Sequence, residues 1–277
     1  MKLMIQAQHI NATPDDMLGN GASGRYWFLT GSDDRARRIS ERFTQVRVKL
    51  HPRQHNIYLG TLTGVDGQAI DVGSVSVGMG GSSADIIINE LILLGAKRLL
   101  RVGTAASLQA PRVKLGDLVI ASAAVRDDKA SWDYIYKEYP AIASFDYIQA
   151  IQQSVKPGVN AHVGIVHSKS SLFAREFDLS LIDGDHQYMR SMTGSGVLAT
   201  EMECAQLFIL ASLASARDPE KPVLAGAILA IIGDNKTPFS NDKKLIEQTV
   251  NTAIELSLET TRKLARAPYG TAIKLRL

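Results

Sequence analysis

R-L-L-R-V-G-T-A-A, residues 98–106, opens as a short apolar run, breaks at a glycine, and holds an arginine where a core residue is due. Five apolar-rich residues are too few for a helix and suit a buried strand. An arginine between Leu100 and Val102 must face a cleft or meet a buried anion, because a lone charge in an apolar interior is too costly. The pattern of apolar run, glycine and amphipathic stretch recurs along the chain. Its other strand runs are Y-W-F-L-T (26–30), I-D-V-G-S-V-S-V (70–77), D-L-V-I-A-S-A-A-V (117–125), A-H-V-G-I-V (161–166) and V-L-A-G-A-I-L-A-I-I (223–232).

Helix candidates lie between these runs. S-S-A-D-I-I-I-N-E-L-I-L-L-G-A-K (82–97) has cap-type serines at its start and Gly95 as its stop. In the last one, 240–264, Ile246, Val250, Ile254 and Leu258 recur at four-residue steps on one face. Strands alternating with helices predict an α/β fold with a largely parallel core covered on both faces. The segment 126–160, with its aromatics and Pro140, reads as an excursion from that core. A single domain over residues 1–277 is the simplest organisation.

Composition narrows the class. Hydrophobic residues at 45% and charged residues at 21% are those of an ordinary globular protein. A net charge of +3 is too small and dispersed for a nucleic-acid partner, and the basic stretch from Arg262 to Leu277 reads as a solvated tail. One cysteine, Cys204, fits a reducing compartment, and its place beside Ala205 reads as a small buried hydrophobe. The N-terminus lacks the apolar length of a signal peptide, and no run reaches membrane-spanning length. A cytoplasmic protein without a membrane partner is expected. His162 and His167 lie five apart across a predicted strand, which is not metal-ligand spacing.

Ligands of such folds sit at the carboxyl ends of the strands. Those ends are G-S-D-D-R (31–35), G-M-G-G-S-S (78–83), G-T-A-A (103–106), H-S-K-S-S-L-F (167–173), E-M-E (201–203) and G-D-N-K (233–236). The glycine-rich turn at 78–83 departs from a dinucleotide fingerprint and from a nucleophile elbow at Ser82, but offers free amides to an anion. Arg35, Arg53 and Arg101 are candidates for bidentate pairing with a phosphate or sulfate. Glu203 is either a favourable charge at a helix N-terminus or an acceptor for paired hydroxyls of a sugar. Asp234 is either a turn residue or a general acid.

Together these stretches resemble the nucleoside phosphorylases, the family of purine nucleoside and uridine phosphorylases with hexameric bacterial members. The likeness runs from His9 to Arg262. It rests on R-V-G-T (101–104), L-G-D-L-V-I-A (115–121), V-R-D-D-K-A-S (125–131), Y-P-A-I-A-S-F-D (139–146) and E-M-E-C-A (201–205), with weaker support from H-I-N-A (9–12) and G-S-D-D-R. The resemblance implies a three-layer α/β/α sandwich around a central mixed, partly barrel-like sheet. It implies phosphate-dependent cleavage of a nucleoside to free base and ribose 1-phosphate, with inorganic phosphate as co-substrate and no other cofactor or metal.

Laid on matching positions, it assigns Gly31, Arg35, Arg101 and Thr104 to phosphate, and Arg53 to a neighbouring subunit's phosphate. His9 would reach a neighbour's ribose 5′-hydroxyl, Phe173 would stack on the base, and Met202 would pack on the ribose. Glu203 would hold the 2′- and 3′-hydroxyls, and Glu201 would help close the pocket. Residues lent between subunits imply a dimeric unit, in the family a trimer of dimers. Asp234, protonated by burial, would donate to N7 of a purine.

The sequence departs from the family pattern at Ser32, Asp33 and Ala106. After the stacking aromatic, F-A-R-E-F offers only Arg175 or Glu176 in place of the uracil-reading glutamine and arginine. Asp234 favours a purine substrate, whereas V-R-D-D-K-A-S favours uridine; the reading leans to purine with uridine as the alternative. A nucleosidase, a non-catalytic nucleoside-binding protein and a Ser82 hydrolase are the remaining rivals.

Overall fold

The computed structural model describes residues 6–177, 179–234 and 236–266; most of the basic C-terminal stretch lies outside the described residues. The first half runs β1 (Tyr26–Thr30), α1 (Asp33–Ser40), β2 (Thr44–Lys49), β3 (Ile57–Thr63), β4 (Ala69–Ser76), α2 (Gly81–Leu94), β5 (Arg98–Ser107) and β6 (Leu118–Asp127). The second runs β7 (Ala141–Ile142), α3 (Phe145–Ser154), β8 (Ala161–Lys169), α4 (Leu172–Glu176), α5 (Asp185–Gly194), β9 (Ala199–Glu201), α6 (Cys204–Arg217), β10 (Leu224–Asp234) and α7 (Lys243–Arg266). Every run expected as a strand is one.

Alternation along β1 explains the layers. Trp27 and Leu29 belong to one apolar cluster, with Ile87 and Leu91 of α2 and Leu207 and Phe208 of α6. Tyr26 and Phe28 belong to another, with Ile39 of α1, Ile151 of α3, and Val250, Ile254 and Leu258 of α7. Side chains of successive strand residues point to opposite faces, so both faces need helices, and a three-layer α/β/α arrangement results. The predicted stripe of α7 is its packed face, with Ile246 only partly covered.

The strands join in the order β10-β6-β8-β9-β5-β1-β4-β3-β2, with β7 on β6. β10 also pairs with β5 in parallel, so β10, β6, β8, β9 and β5 close into a barrel. The sheet is less parallel than the apolar runs alone predict: β6 runs against β10, β9 against β5, and β3 against both β2 and β4. Closure also lengthens β5. G-T-A-A, expected as the residues following a strand, is held inside it by β10 and β9.

Two local expectations need correction. α2 begins at Gly81, with Gly80 at φ +84° as its cap, so Ser82 and Ser83 sit in the first turn and not at the cap. Ser83 Oγ instead donates to the Val77 carbonyl at 2.8 Å. The helix stops at Gly95 (φ +113°), as expected of a left-handed cap. The segment 126–160 is only in part an excursion, because β7 pairs with β6 and Tyr147, Ala150 and Ile151 of α3 belong to the core; its first part is organised by Arg126. Its buried guanidinium donates to the carbonyls of Ser131, Ile135, Tyr136 and Tyr139 and to Ser131 Oγ, at 2.6–3.0 Å. The arginine of V-R-D-D-K-A-S is therefore a structural hub.

Candidate active site

On β5, Leu99 and Ala105 face the cluster that contains α6, and Arg101 shares their side by alternation. Its guanidinium meets the E-M-E segment that joins β9 to α6. Nη2 donates to Glu203, and Nε lies 3.3 Å from Glu201 Oε2 without hydrogen-bond geometry. Gly103 leaves room for this group, since a Cβ there would come within 2.8 Å of Arg101 Nη2 and of Leu229 Cδ2. Arg101 Nη1 is buried and has no hydrogen-bond partner.

The two glutamates have different employment. Glu201 accepts from the amides of Glu203 (2.8 Å) and Cys204 (3.0 Å) and from the Ser168 hydroxyl. Its carboxylate thus satisfies amides at the N-terminus of α6 and is absorbed by the scaffold. Burial raises its pKa, but Arg101, Ser168 and those amides outweigh that and leave it below the ordinary value. Glu203 accepts from the Gly80 amide at 2.6 Å, so the glycine-rich turn does serve an anion: this carboxylate. Burial and the neighbouring Glu201 charge raise the Glu203 pKa against the pull of Arg101.

Arg35 lies beside this group. Ser32, one of the departures, caps α1 by accepting from the Arg35 amide at 3.4 Å, and Arg35 Nη1 donates to the Val102 carbonyl at 3.3 Å. Burial, then the nearby positive charges of Arg101 and Arg38, push Arg35 down to about 10. A guanidinium disfavoured first by burial and then by like charge, next to one with a spare buried N–H, has the donors to pair with an oxyanion.

A cleft of about 550 Å³ opens at the far end of β5. Its walls include Ala106 of β5, Thr200 of β9, Arg175 and Glu176 of α4, Asp185 and Met189 of α5, and Asp234 of β10. Ala106 and Thr200 are cross-strand partners. Arg175 and Glu176 are tied down. Arg175 makes a bidentate pair with Asp127 (2.8 and 3.0 Å) and a further bond to Asp185 (2.5 Å), and Glu176 forms an ion pair with Lys169. Asp127 also meets His167 Nε2 at 3.2 Å, and His167 Nδ1 meets Thr200 Oγ1 at 3.0 Å. In sequence, His167 and Lys169 stand at a strand end and Asp127 in a family motif, yet in the fold they form one buried network. Their separation in sequence hid it.

The other expected residues fall as follows. Met202 is half-buried, with its methyl group 3.7 Å from where a Gly80 Cβ would stand. Thr104 is half-buried on β5 opposite Ala230, and Gly31 sits in the link from β1 to α1. Phe173 is 58% exposed and lies 5.1 Å from the Phe177 ring. Asp234 is half-buried at the cleft, and its Oδ1 accepts the amides of Lys236 and Thr237, both at 2.8 Å, in a turn. His9 is held by Glu90, which also accepts the amides of Gln8, His9 and Ile10. Arg53 is exposed in the link between β2 and β3, and neither it nor His9 lines this cleft. Cys204 is fully buried, and burial beside Glu201 raises its thiol pKa well above the ordinary value. Ser82 is exposed on α2.

The profile of the Phosphorylase superfamily matches residues 25–266. The chain belongs to that superfamily. Among phosphorylases it is 30% identical over 234 residues to the uridine phosphorylase of Thermococcus kodakarensis, covering 83% of this chain and 78% of that one. The uridine phosphorylase of Treponema pallidum is 29% identical, covering 87% and 90% of the two chains. A purine nucleoside phosphorylase of Plasmodium vivax is 28% identical over 69% of this chain and 74% of its own. The crystal structure of Vibrio fischeri uridine phosphorylase superposes with a TM-score of 0.76 at 27% identity, covering 94% and 97%. Uridine phosphorylases predominate among these relatives of the phosphorylase, so the lean towards purine is not confirmed.

The Asp127 hub gives the phosphorylase an acid-sensitive element. Burial pushes this carboxyl up, but hydrogen bonds from His167 and Arg175 outweigh it and hold it below the ordinary range. An unfolded Asp titrates near pH 3.9 or so, so the hub's contribution is complete above that value and is lost as pH falls through the lower native one. Asp127→Asn is expected to lower unfolding stability by about 2 kcal/mol at pH 7, with the deficit shrinking towards pH 2 or so. Urea titrations at both pH values check this; a deficit independent of pH contradicts it.

Proposed function

We propose that the protein is a uridine phosphorylase. As a member of this family it is a pentosyltransferase, and the choice of base is the step taken here. The observation that supports the reaction is Arg35, a buried cation disfavoured by its surroundings, beside Arg101 with its unpartnered buried Nη1 and next to Glu203.

In the proposed reaction, a phosphate oxygen held by Arg35 and Arg101 bonds to C1′ of the ribose as the C1′–N1 bond breaks. The bonding pair leaves with the base, which takes up a proton to become uracil, and ribose 1-phosphate forms. Glu203 orients the ribose through its 2′- and 3′-hydroxyls, and the phosphate charge offsets the positive charge building at C1′. Asp234 offers less to a purine than the sequence suggested, because one of its oxygens is committed to a turn. Residues His9 and Arg53, which lie away from the cleft, are proposed to serve a neighbouring subunit.

Uracil release from uridine, followed by absorbance, is expected to require inorganic phosphate and to yield ribose 1-phosphate. Equal release without phosphate would make the protein a nucleosidase, and release of hypoxanthine from inosine without action on uridine would restore the purine reading.

A further inference from the structure

We infer that Arg175 is a positioning residue, a latch that sets the α4–α5 wall of the cleft against the barrel and thereby governs nucleoside affinity. This rests on the reading of the cleft as the base site of a nucleoside phosphorylase and deepens it. The starting point is what the wall lacks. α6 buries Leu207, Phe208 and Ile209 among others, whereas neither α4 nor α5 contains a buried residue. Helices with so little apolar anchorage open easily, so their polar ties decide where they stand.

Several of those ties converge on one guanidinium. From α4, Arg175 donates Nε and Nη2 to the two oxygens of Asp127 on β6, at 2.8 and 3.0 Å. Its Nη1 donates to Asp185, the first residue of α5, at 2.5 Å. Its Cζ also lies 4.6 Å from the centroid of the Tyr188 ring, nearly one turn further along α5. Arg175 thus divides its charge between two carboxylates and joins three elements, β6, α4 and α5. The planar fork allows both pairs at once, and an arginine keeps its proton at any working pH. The junction therefore holds whichever proton His167 carries.

Other ties act beside it. Lys169 of β8 pairs with Glu176 and holds α4, the Tyr188 ring stands 5.8 Å from that of His167, and Gln109 Nε2 donates to the Thr193 carbonyl at 2.7 Å near the end of α5. Asp185, Met189 and Thr193 recur at four-residue steps, so one face of α5 walls the cleft. Arg175 grips that face at its first residue. A wall set loose would hold the nucleoside less often without altering the bonds made and broken at C1′, which raises KM and spares kcat.

The test combines steady-state kinetics on uridine and phosphate with amide hydrogen exchange, for the wild type, Arg175→Met, Arg175→Lys and Asp185→Ala. Arg175→Met, which removes the donors, is expected to raise the KM for uridine about 30-fold. Its kcat and its KM for phosphate are expected to stay within about 3-fold. Exchange of the α5 amides is expected to accelerate at least about 10-fold more than that of β5 and β10. Arg175→Lys, a charge without the fork, still raises the uridine KM about 10-fold. Asp185→Ala cuts the α5 arm and leaves the Asp127 pair, and a rise of about 10-fold there decides the matter if the Arg175 variants do not fold. Equal acceleration in α5 and the barrel overturns the latch, as does an unchanged uridine KM. A loss confined to kcat also overturns it, by placing Arg175 at the reacting atoms. A wild type without uridine turnover refutes the proposed reaction instead, and the latch is then decided by exchange alone.

Discussion

Arg101→Ala is expected to lower kcat/KM for phosphorolysis by at least about 10³-fold and to destabilise the fold by about 3–5 kcal/mol. Both effects follow from one position. Arg101 is 4% exposed and is the cation between two carboxylates that are themselves buried. Its removal leaves Glu201 and Glu203 facing each other without compensation, and takes from the proposed oxyanion site a guanidinium with a spare buried N–H. Arg101→Lys separates the two consequences. A lysine keeps the charge and most of the stability but cannot hold two glutamates and a phosphate in one plane, so activity is expected to fall about 10²-fold. Steady-state rates against phosphate, beside urea denaturation, provide the measurement. An alanine variant with unchanged phosphate KM and rate would remove Arg101 from the mechanism.

Glu203→Gln is expected to reduce kcat/KM on uridine by about 10²–10³-fold. The amide oxygen can still accept from the Gly80 N–H, so the glycine turn keeps its anchor. What is lost is the ionised acceptor for two vicinal alcohols. The informative comparison is 2′,3′-dideoxyuridine, which lacks them. On that substrate the variant and the parent are expected to differ by no more than about 3-fold, because an interaction absent from both cannot be removed by mutation. An equal loss on both substrates would assign Glu203 to shaping the site and not to holding the sugar.

Much of this arrangement is legible in sequence, and the boundary has a physical cause. Apolar runs report burial, so all six predicted strands exist, and the packed stripe of α7 is visible as four-residue spacing. β2, β3, β7 and β9 are not among the predicted runs: β2 is largely exposed, β7 and β9 are two and three residues long, and in β3, though it is largely buried, Gly60, Thr61 and Thr63 break up the apolar run. Arg101 betrayed itself as a charge out of place among apolar neighbours. Glu201 and Glu203 look alike in sequence, and only the positions of the α6 amides and of Gly80 give one to the scaffold and leave the other beside the arginines. The Asp127–His167–Thr200 chain was beyond reach, since its members come from three strands and no spacing links them. Asp234 is ambiguous for the opposite reason: a turn residue and a general acid are spelled the same way.

β5 is laced to β1 and β9 and, along nearly its whole length, to β10. It therefore acts as a stiff ruler, with Arg101 at one mark and Ala106 at another. No hinge lies between them, and slipping the strand by one residue would turn every side chain to the wrong side. Under the proposed reaction, diversification of substrate is confined to the opposite bank, where β9, α4 and α5 can exchange side chains while the anion and the sugar keep their places. Such a molecule can change its diet without relearning its chemistry.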